Sequence, residues 1–150
     1  MECLFPGSTQ VTRRFAVEVV ELPPGKRVTI AGVIAAGWPA DHPSGAPALA
    51  LRLAVGHKII SYTGDTAWTD ALPEVAAGSD LLIAEAYYRD KAVPYHLRLA
   101  DLTRNAGRLA SQRTVLTHMS ADLLGQLDQL RPELDEAGYV TASDGLVLHI

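Results

Sequence analysis

Cysteine is almost missing from this chain. The single Cys3 has no partner for an internal disulfide, and no second cysteine at ligand spacing that would make it part of a metal site. Long hydrophobic runs are missing too. Charges, Pro or Gly interrupt every apolar stretch before the roughly 18 to 20 residues that a membrane span needs, so no membrane partner is expected. An excess of positive charge is also lacking. Thirteen Lys plus Arg stand against 17 Asp plus Glu, a net charge of -4, which excludes a broad basic surface for polyanions but leaves a local patch open. The N-terminus has no charged start followed by an apolar stretch and a small-residue cleavage site, so a reducing cytoplasm is the default address. No fixed-period repeat, Ser/Gly linker or charge block divides the chain. With 150 residues, 48% hydrophobic and 20% charged, it reads as one globular domain spanning residues 1–150.

What is present is punctuated alternation. Residues 15–22 form an apolar run that stops at Pro23-Pro24-Gly25, and residues 27–36 form the next, so the pair reads as an antiparallel hairpin. Leu49, Leu51, Leu53 and Val55 alternate with Ala48, Ala50, Arg52 and Ala54, the period of a strand with two unlike faces. Gly56-His57 is a two-residue turn of the kind that places Gly first, leading into Lys58-Ile59-Ile60-Ser61-Tyr62. From there strand, loop and helix follow one another three times. The strand over 59–63 enters Gly64-Asp65-Thr66, with Asp70 as the cap of a helix that includes Pro73. A strand over 81–87 precedes a helix with Leu99, Leu102, Ala106 and Leu109 on one stripe. A strand over 114–117 runs into His118-Met119-Ser120, where Ser120 caps a helix that Pro132 ends or bends. Residues 139–142 and 146–150, joined by Ser143-Asp144-Gly145, read as a closing hairpin. The expected fold class is α/β, a mixed sheet with about three helices.

In open α/β sheets the chemistry gathers beyond the carboxyl ends of strands. Asp65 and His118 both occupy such ends, and Glu85 lies near the end of the strand between them. A carboxylate and an imidazole from neighbouring strand ends suit Zn, Mn or Fe better than Ca or Mg. His96 falls at or just before a helix start, a position suited to meeting a phosphate oxygen or a leaving group. An acid within Leu81-Leu82-Ile83-Ala84-Glu85-Ala86-Tyr87 is costly unless it is paired or directed at a site, and orienting a histidine such as His96 is one use for it.

Taken together, Tyr62-Thr63-Gly64-Asp65-Thr66, Leu82-Ile83-Ala84-Glu85-Ala86, Tyr95-His96-Leu97 and Leu116-Thr117-His118-Met119-Ser120 resemble the latter half of the metallo-β-lactamase-fold hydrolases, and within them the ribonuclease Z-like phosphodiesterases. The gaps of 31 residues from Asp65 to His96 and 22 from His96 to His118 make the ordered set more specific than any member. The resemblance covers roughly residues 40 to 150. It implies an αββα-type fold of which this chain is the C-terminal half, and a pair of divalent metal ions, zinc first, with manganese or iron as alternatives. It assigns Asp65 as the bridging carboxylate, His118 as a ligand of the second metal, His96 as the group assisting the leaving oxygen, Glu85 as its support, and His42 as substrate-side or structural.

The family's His-x-His-x-Asp-His motif has no counterpart among the five histidines. The implied function is metal-dependent hydrolysis of a phosphodiester or another ester, with nucleic acid open as a substrate. The alternative is a non-catalytic half-domain that forms a homodimer or pairs with the missing N-terminal half. A bridging Asp and one His are too few ligands to hold a catalytic metal pair. The 150-residue chain alone is therefore expected to be inactive or very weak, checked by assaying hydrolysis of bis(p-nitrophenyl) phosphate with added metal; metal-dependent turnover lost on Asp65→Ala would contradict this.

Overall fold

The structure, a computed structural model, describes Gly7, Thr12, residues 14–44 and residues 46–150. Cys3 lies outside the described residues. Seven strands make one sheet in sequence order: β1 (Arg27–Ile30), β2 (Val33–Pro39), β3 (Leu49–Val55), β4 (Lys58–Tyr62), β5 (Leu81–Glu85), β6 (Thr114–Thr117) and β7 (Tyr139–Thr141). The first four are antiparallel neighbours, and β4 through β7 run parallel. The sheet is thus mixed, in an α/β arrangement. Its helices are α1 (Leu72–Ala76), α2 (Leu99–Arg104), α3 (Ala121–Leu124) and α4 (Leu127–Glu136), one more than expected. None of the described helices is long and apolar enough to cross a membrane.

The alternation of β3 and β4 is realised as read, with Val55 opposite Lys58 across the Gly56-His57 turn. Several expectations need correction. Residues 15–22 form no strand of the sheet, and Phe15, Val17, Val19 and Val20 stand exposed. The stretch 27–36 is two strands, folded back at Ala31 and Gly32, both at positive φ, so that Ile30 pairs with Val33. That turn geometry matches the strand twist, and Gly32 inside the apolar run was its signal. Residues 146–150 form no strand: the Ser143 turn closes, with Leu146 N–H donating to the Ser143 carbonyl at 3.0 Å, but β7 takes β6 as its parallel partner instead. Asp70 does not cap α1, whose preceding residue is Ala71 and whose second position is Pro73.

The helix expected after Ser120 is split at Gly125-Gln126 into α3 and α4. Leu123 N–H donates to Ser120 Oγ at 3.2 Å, as the cap requires, and Pro132 sits inside α4 without ending it.

The two sheet faces differ. On one, Ala50, Leu82, Ala84, Leu116 and Tyr139 merge with Leu72, Val75, Leu99, Leu102, Leu123, Leu130 and Leu134 from the helices into one core. Ser61 Oγ and Arg52 Nη1 both donate to the Val75 carbonyl, at 2.6 and 2.9 Å, which fixes α1 on that face. The alternate residues Leu51, Leu53, Ile60, Tyr62 and Ile83 lie on the other face and remain partly exposed. One face therefore carries the main core, while on the other Leu81 and Val115 are buried beside a partly exposed apolar surface.

The start of α2, which follows His96 closely, is held by Asp101. Its carboxylate accepts from Arg98 N–H at 3.2 Å, Nε at 2.9 Å and Nη2 at 2.6 Å. Burial pushes the Asp101 carboxyl up, but these hydrogen bonds and the Arg98 charge outweigh it and hold the group below the usual carboxylate range. The stability this pair contributes is therefore fully present above about pH 4, the unfolded carboxyl value, and is lost as the pH falls through the lower folded value. Asp101→Asn is expected to destabilise the chain by roughly 1–3 kcal/mol at pH 7 and to flatten the loss of stability below about pH 4. Urea melts of both proteins across that range check it, and an unchanged acid slope would refute it.

Candidate active site

The parallel half of the sheet brings three strand ends side by side. Beyond β4, Thr63 N–H still bonds the Ile83 carbonyl at 3.0 Å, and then the chain turns sharply at Gly64. Gly64 has φ +63°, which favours glycine, and a Cβ there would also crowd the Leu49 carbonyl at 3.3 Å. That turn presents Asp65. Beyond β6 the chain turns at His118 itself, at φ +53°, a strained conformation for a residue with a side chain and one of the kind that clusters at functional sites.

Between them sits Glu85, fully buried at the end of β5. Its Oε2 accepts from Thr66 N–H at 3.0 Å and from Leu97 N–H at 3.2 Å. Its Oε1 accepts from His118 Nδ1 at 2.8 Å and from His96 Nδ1 in a shorter contact. Its own N–H donates to Thr63 Oγ1 at 3.0 Å. With an acceptor at Nδ1, each imidazole carries its hydrogen there and leaves Nε2 unprotonated in the neutral ring.

Asp65 Oδ1 lies 3.4 Å from His118 Nδ1, and both side chains are partly open to solvent, 36% and 43% exposed. One donor atom from each of Asp65, Glu85, His96 and His118 lies within 4.8 Å of the others. Two carboxylates and two imidazoles form a donor set for zinc, manganese or iron. Both oxygens of Glu85 are occupied by hydrogen bonds that hold the two histidine rings from behind, while the side chains of Asp65 and His118 are open to solvent. The residues present thus fit a metal.

The structure brings together every site residue named from the sequence. His42, on the loop after β2, has its ring 5.4 Å from that of His96, edge to face. Its loop is tied to the Gly-Asp-Thr turn by Asp41 N–H donating to Thr66 Oγ1 at 2.9 Å and by Ala67 N–H donating to the Asp41 carbonyl at 3.1 Å. Sequence reasoning missed Tyr87, whose ring stacks on His96 at 4.6 Å and tilts against His118 at 5.3 Å. Its one signal was its place two residues beyond Glu85. It also missed the hydroxyls of Thr63 and Thr66 as staples of the turn. Tyr62, next to the site on the apolar sheet face, has its hydroxyl pKa pushed up by partial burial and then by the charges of Asp65 and Glu85, so it stays neutral across physiological pH.

A family model described as a beta-lactamase superfamily domain matches residues 4–119. The chain is 34% identical over 102 residues to a ribonuclease Z of Haloferax volcanii, a match that covers 62% of this chain and 32% of that protein. Among solved structures, a metallo-beta-lactamase fold protein from Bacillus subtilis, YhfI, superposes with a TM-score of 0.77 at 23% identity, covering 99% of this chain and 62% of its own. A diphosphatase from the PhnP family gives a TM-score of 0.72 at 24% identity, covering 99% of this chain and 53% of its own. The chain thus spans about a third of the ribonuclease Z and a little over half of each of these solved chains.

Glu85→Gln keeps the size but replaces one acceptor oxygen by a donor. It is expected to lower stability by roughly 1–3 kcal/mol and to release the histidine rings into mixed tautomers. Nitrogen-15 spectra of His96 and His118 read this directly, and an unchanged single tautomer in the variant would contradict it.

Proposed function

Because the chain belongs to the beta-lactamase superfamily domain family, we propose that it is the C-terminal half of a metal-dependent hydrolase that cleaves phosphodiester bonds in the manner of a ribonuclease Z. The observation that carries the reading is the cluster of Asp65, His96 and His118 around buried Glu85 at adjoining strand ends. The phosphodiester substrate class is supported by the likeness to the ribonuclease Z and the PhnP-family diphosphatase.

Asp65 and His118 would hold the metal, with zinc first among the metals this donor set accepts. When bound, the metal supplies a Lewis acid and an activated water at neutral pH. The protein's own residues do the rest. Glu85 holds His96 by its Nδ1 side, and its carboxylate stabilises the doubly protonated ring, in which Nε2 carries a proton taken up from water and passes it to the departing oxygen. Tyr87, stacked on the same ring, restricts its rotation. His42 closes the substrate side of His96.

The second reading, a half-domain that pairs with another chain or with its own copy, is favoured by the apolar sheet face carrying Leu51, Leu53, Ile60, Tyr62 and Ile83, which no described helix of the core covers. Zinc titration with metal analysis and sedimentation separates the two. The hydrolase reading expects zinc uptake that raises the melting temperature of the native chain and is lost in Asp65→Ala and His118→Ala. Uptake unaffected by either substitution overturns the assignment of Asp65 and His118, and a metal-free obligate dimer supports the pairing reading instead.

A further inference from the structure

Among the described residues, three that are not glycine have positive φ: Ala31, His118 and Tyr95. Ala31 belongs to the β1–β2 hairpin turn and His118 to the metal cluster. Tyr95, at φ +67° and 44% exposed, has neither reason.

Its turn is one the chain makes elsewhere. His96 N–H donates to the Val93 carbonyl at 3.4 Å, Pro94 occupies the second position, and Tyr95 occupies the third at positive φ, the pattern of a type II turn, which calls for glycine there. Lys26 N–H closes the same turn on Pro23 at 3.1 Å, with Pro24 and then Gly25 at φ +71°. Ser79 N–H closes it on Ala76 at 3.0 Å, with Ala77 at φ -53° and ψ 117° and then Gly78 at φ +66°. Leu146 N–H closes it on Ser143 at 3.0 Å, with Gly145 at φ +81° in the third position. Glycine fills the strained position in those three turns. Beside the site a large aromatic residue fills it, against the steric preference of an L-residue.

The Tyr95 ring meets His42 edge to face at 6.3 Å, and His42 in turn meets His96 at 5.4 Å. An exposed aromatic face therefore stands one ring away from the histidine assigned to the leaving group. The following hydrogen bonds also fix its approach, since Leu97 N–H is held by Glu85 and Arg98 by Asp101. The ring is displayed from a rigid turn at low cost in side-chain entropy, the property that makes aromatic residues good stacking platforms.

We infer that Tyr95 is a specificity-determining residue that stacks the nucleobase of a nucleotide substrate whose phosphate lies at the Asp65–His96–His118 cluster. The inference rests on the phosphodiesterase reading and narrows it to nucleotide substrates. Base stacking tolerates any base, since each has a π-face, so the expected preference is for nucleotide over sugar phosphate rather than for one base.

The test uses the whole chain with zinc present and two probes, AMP and ribose 5-phosphate, titrated calorimetrically. The native chain is expected to bind AMP about ten-fold or more tighter than ribose 5-phosphate, a difference within the range of one base–aromatic stack. Tyr95→Gly is expected to bring the two affinities together while leaving ribose 5-phosphate binding unchanged, and Tyr95→Phe to retain the native ratio. Because glycine suits the turn, Tyr95→Gly is also expected to melt at the same or a higher temperature, an outcome that a purely structural tyrosine would not give. Equal binding of the two probes by the native chain, or an AMP preference that survives Tyr95→Gly, overturns the assignment and leaves the phosphodiesterase reading standing. Absence of binding of either probe to the native chain overturns both.

Discussion

The buried carboxylate of Glu85 is the interaction on which the site and much of its surroundings depend. An acid buried at the end of an apolar strand is strongly unfavourable unless its acceptor positions are filled. Here the filling is shared among four groups from three segments: the backbone at Thr66, the backbone at Leu97 with the ring of His96 beside it, and the ring of His118. Satisfying one side chain therefore fixes the Gly-Asp-Thr turn, the approach to α2 and the end of β6 relative to β5. The geometry around Asp65 follows from the same requirement, because Asp65 precedes one of the residues that Glu85 holds.

A second constraint is conformational strain, and its distribution is informative. Gly64 is favoured because the chain must turn at positive φ against the Leu49 carbonyl. At His118 and Tyr95 the chain accepts the same region of backbone space with a side chain attached. Such positions persist only when neighbouring contacts over-determine them. His118 has those contacts in Glu85 and Asp65, and the turn at Tyr95 is pinned by Leu97 and Arg98 immediately downstream.

The two faces of the sheet that carries this site are unlike. Helices α1 to α4 complete the core on one face, while the other carries an apolar surface next to Tyr62 and the strand ends. The fold is that of the metallo-β-lactamase fold protein it superposes on, of which the chain covers 62%. Sheets of layered α/β structures bury an apolar face against a second layer, and among the described residues this face has Leu81 and Val115 buried but Leu51, Leu53, Ile60, Tyr62 and Ile83 partly exposed. The same surface is the physical ground for the pairing alternative, and the two readings share it.

Sequence legibility divides along the same physical line. The strands β3 to β6, the Gly56-His57 turn and the Ser120 cap could be read directly, because alternation, turn chemistry and capping are properties of residues close together in the chain. The resemblance carried by Gly64-Asp65-Thr66, Glu85, His96 and His118 could be read as an ordered set with its spacing. Residues 15–22 and 146–150 misled for one reason. An alternating apolar run looks the same whether or not a neighbouring strand supplies a hydrogen-bonding ladder, and that neighbour is chosen by the sheet as a whole. Tyr87 against His96, the two hydroxyl staples and the tyrosine at a glycine position gained meaning only when the chain closed. The sequence by itself determined the ordered set of Asp65, Glu85, His96 and His118 and placed Asp65, Glu85 and His118 at or near strand ends. Only the tertiary structure decided that they converge on one buried carboxylate, since a group's hydrogen-bond partners are settled by the packing that removes it from water.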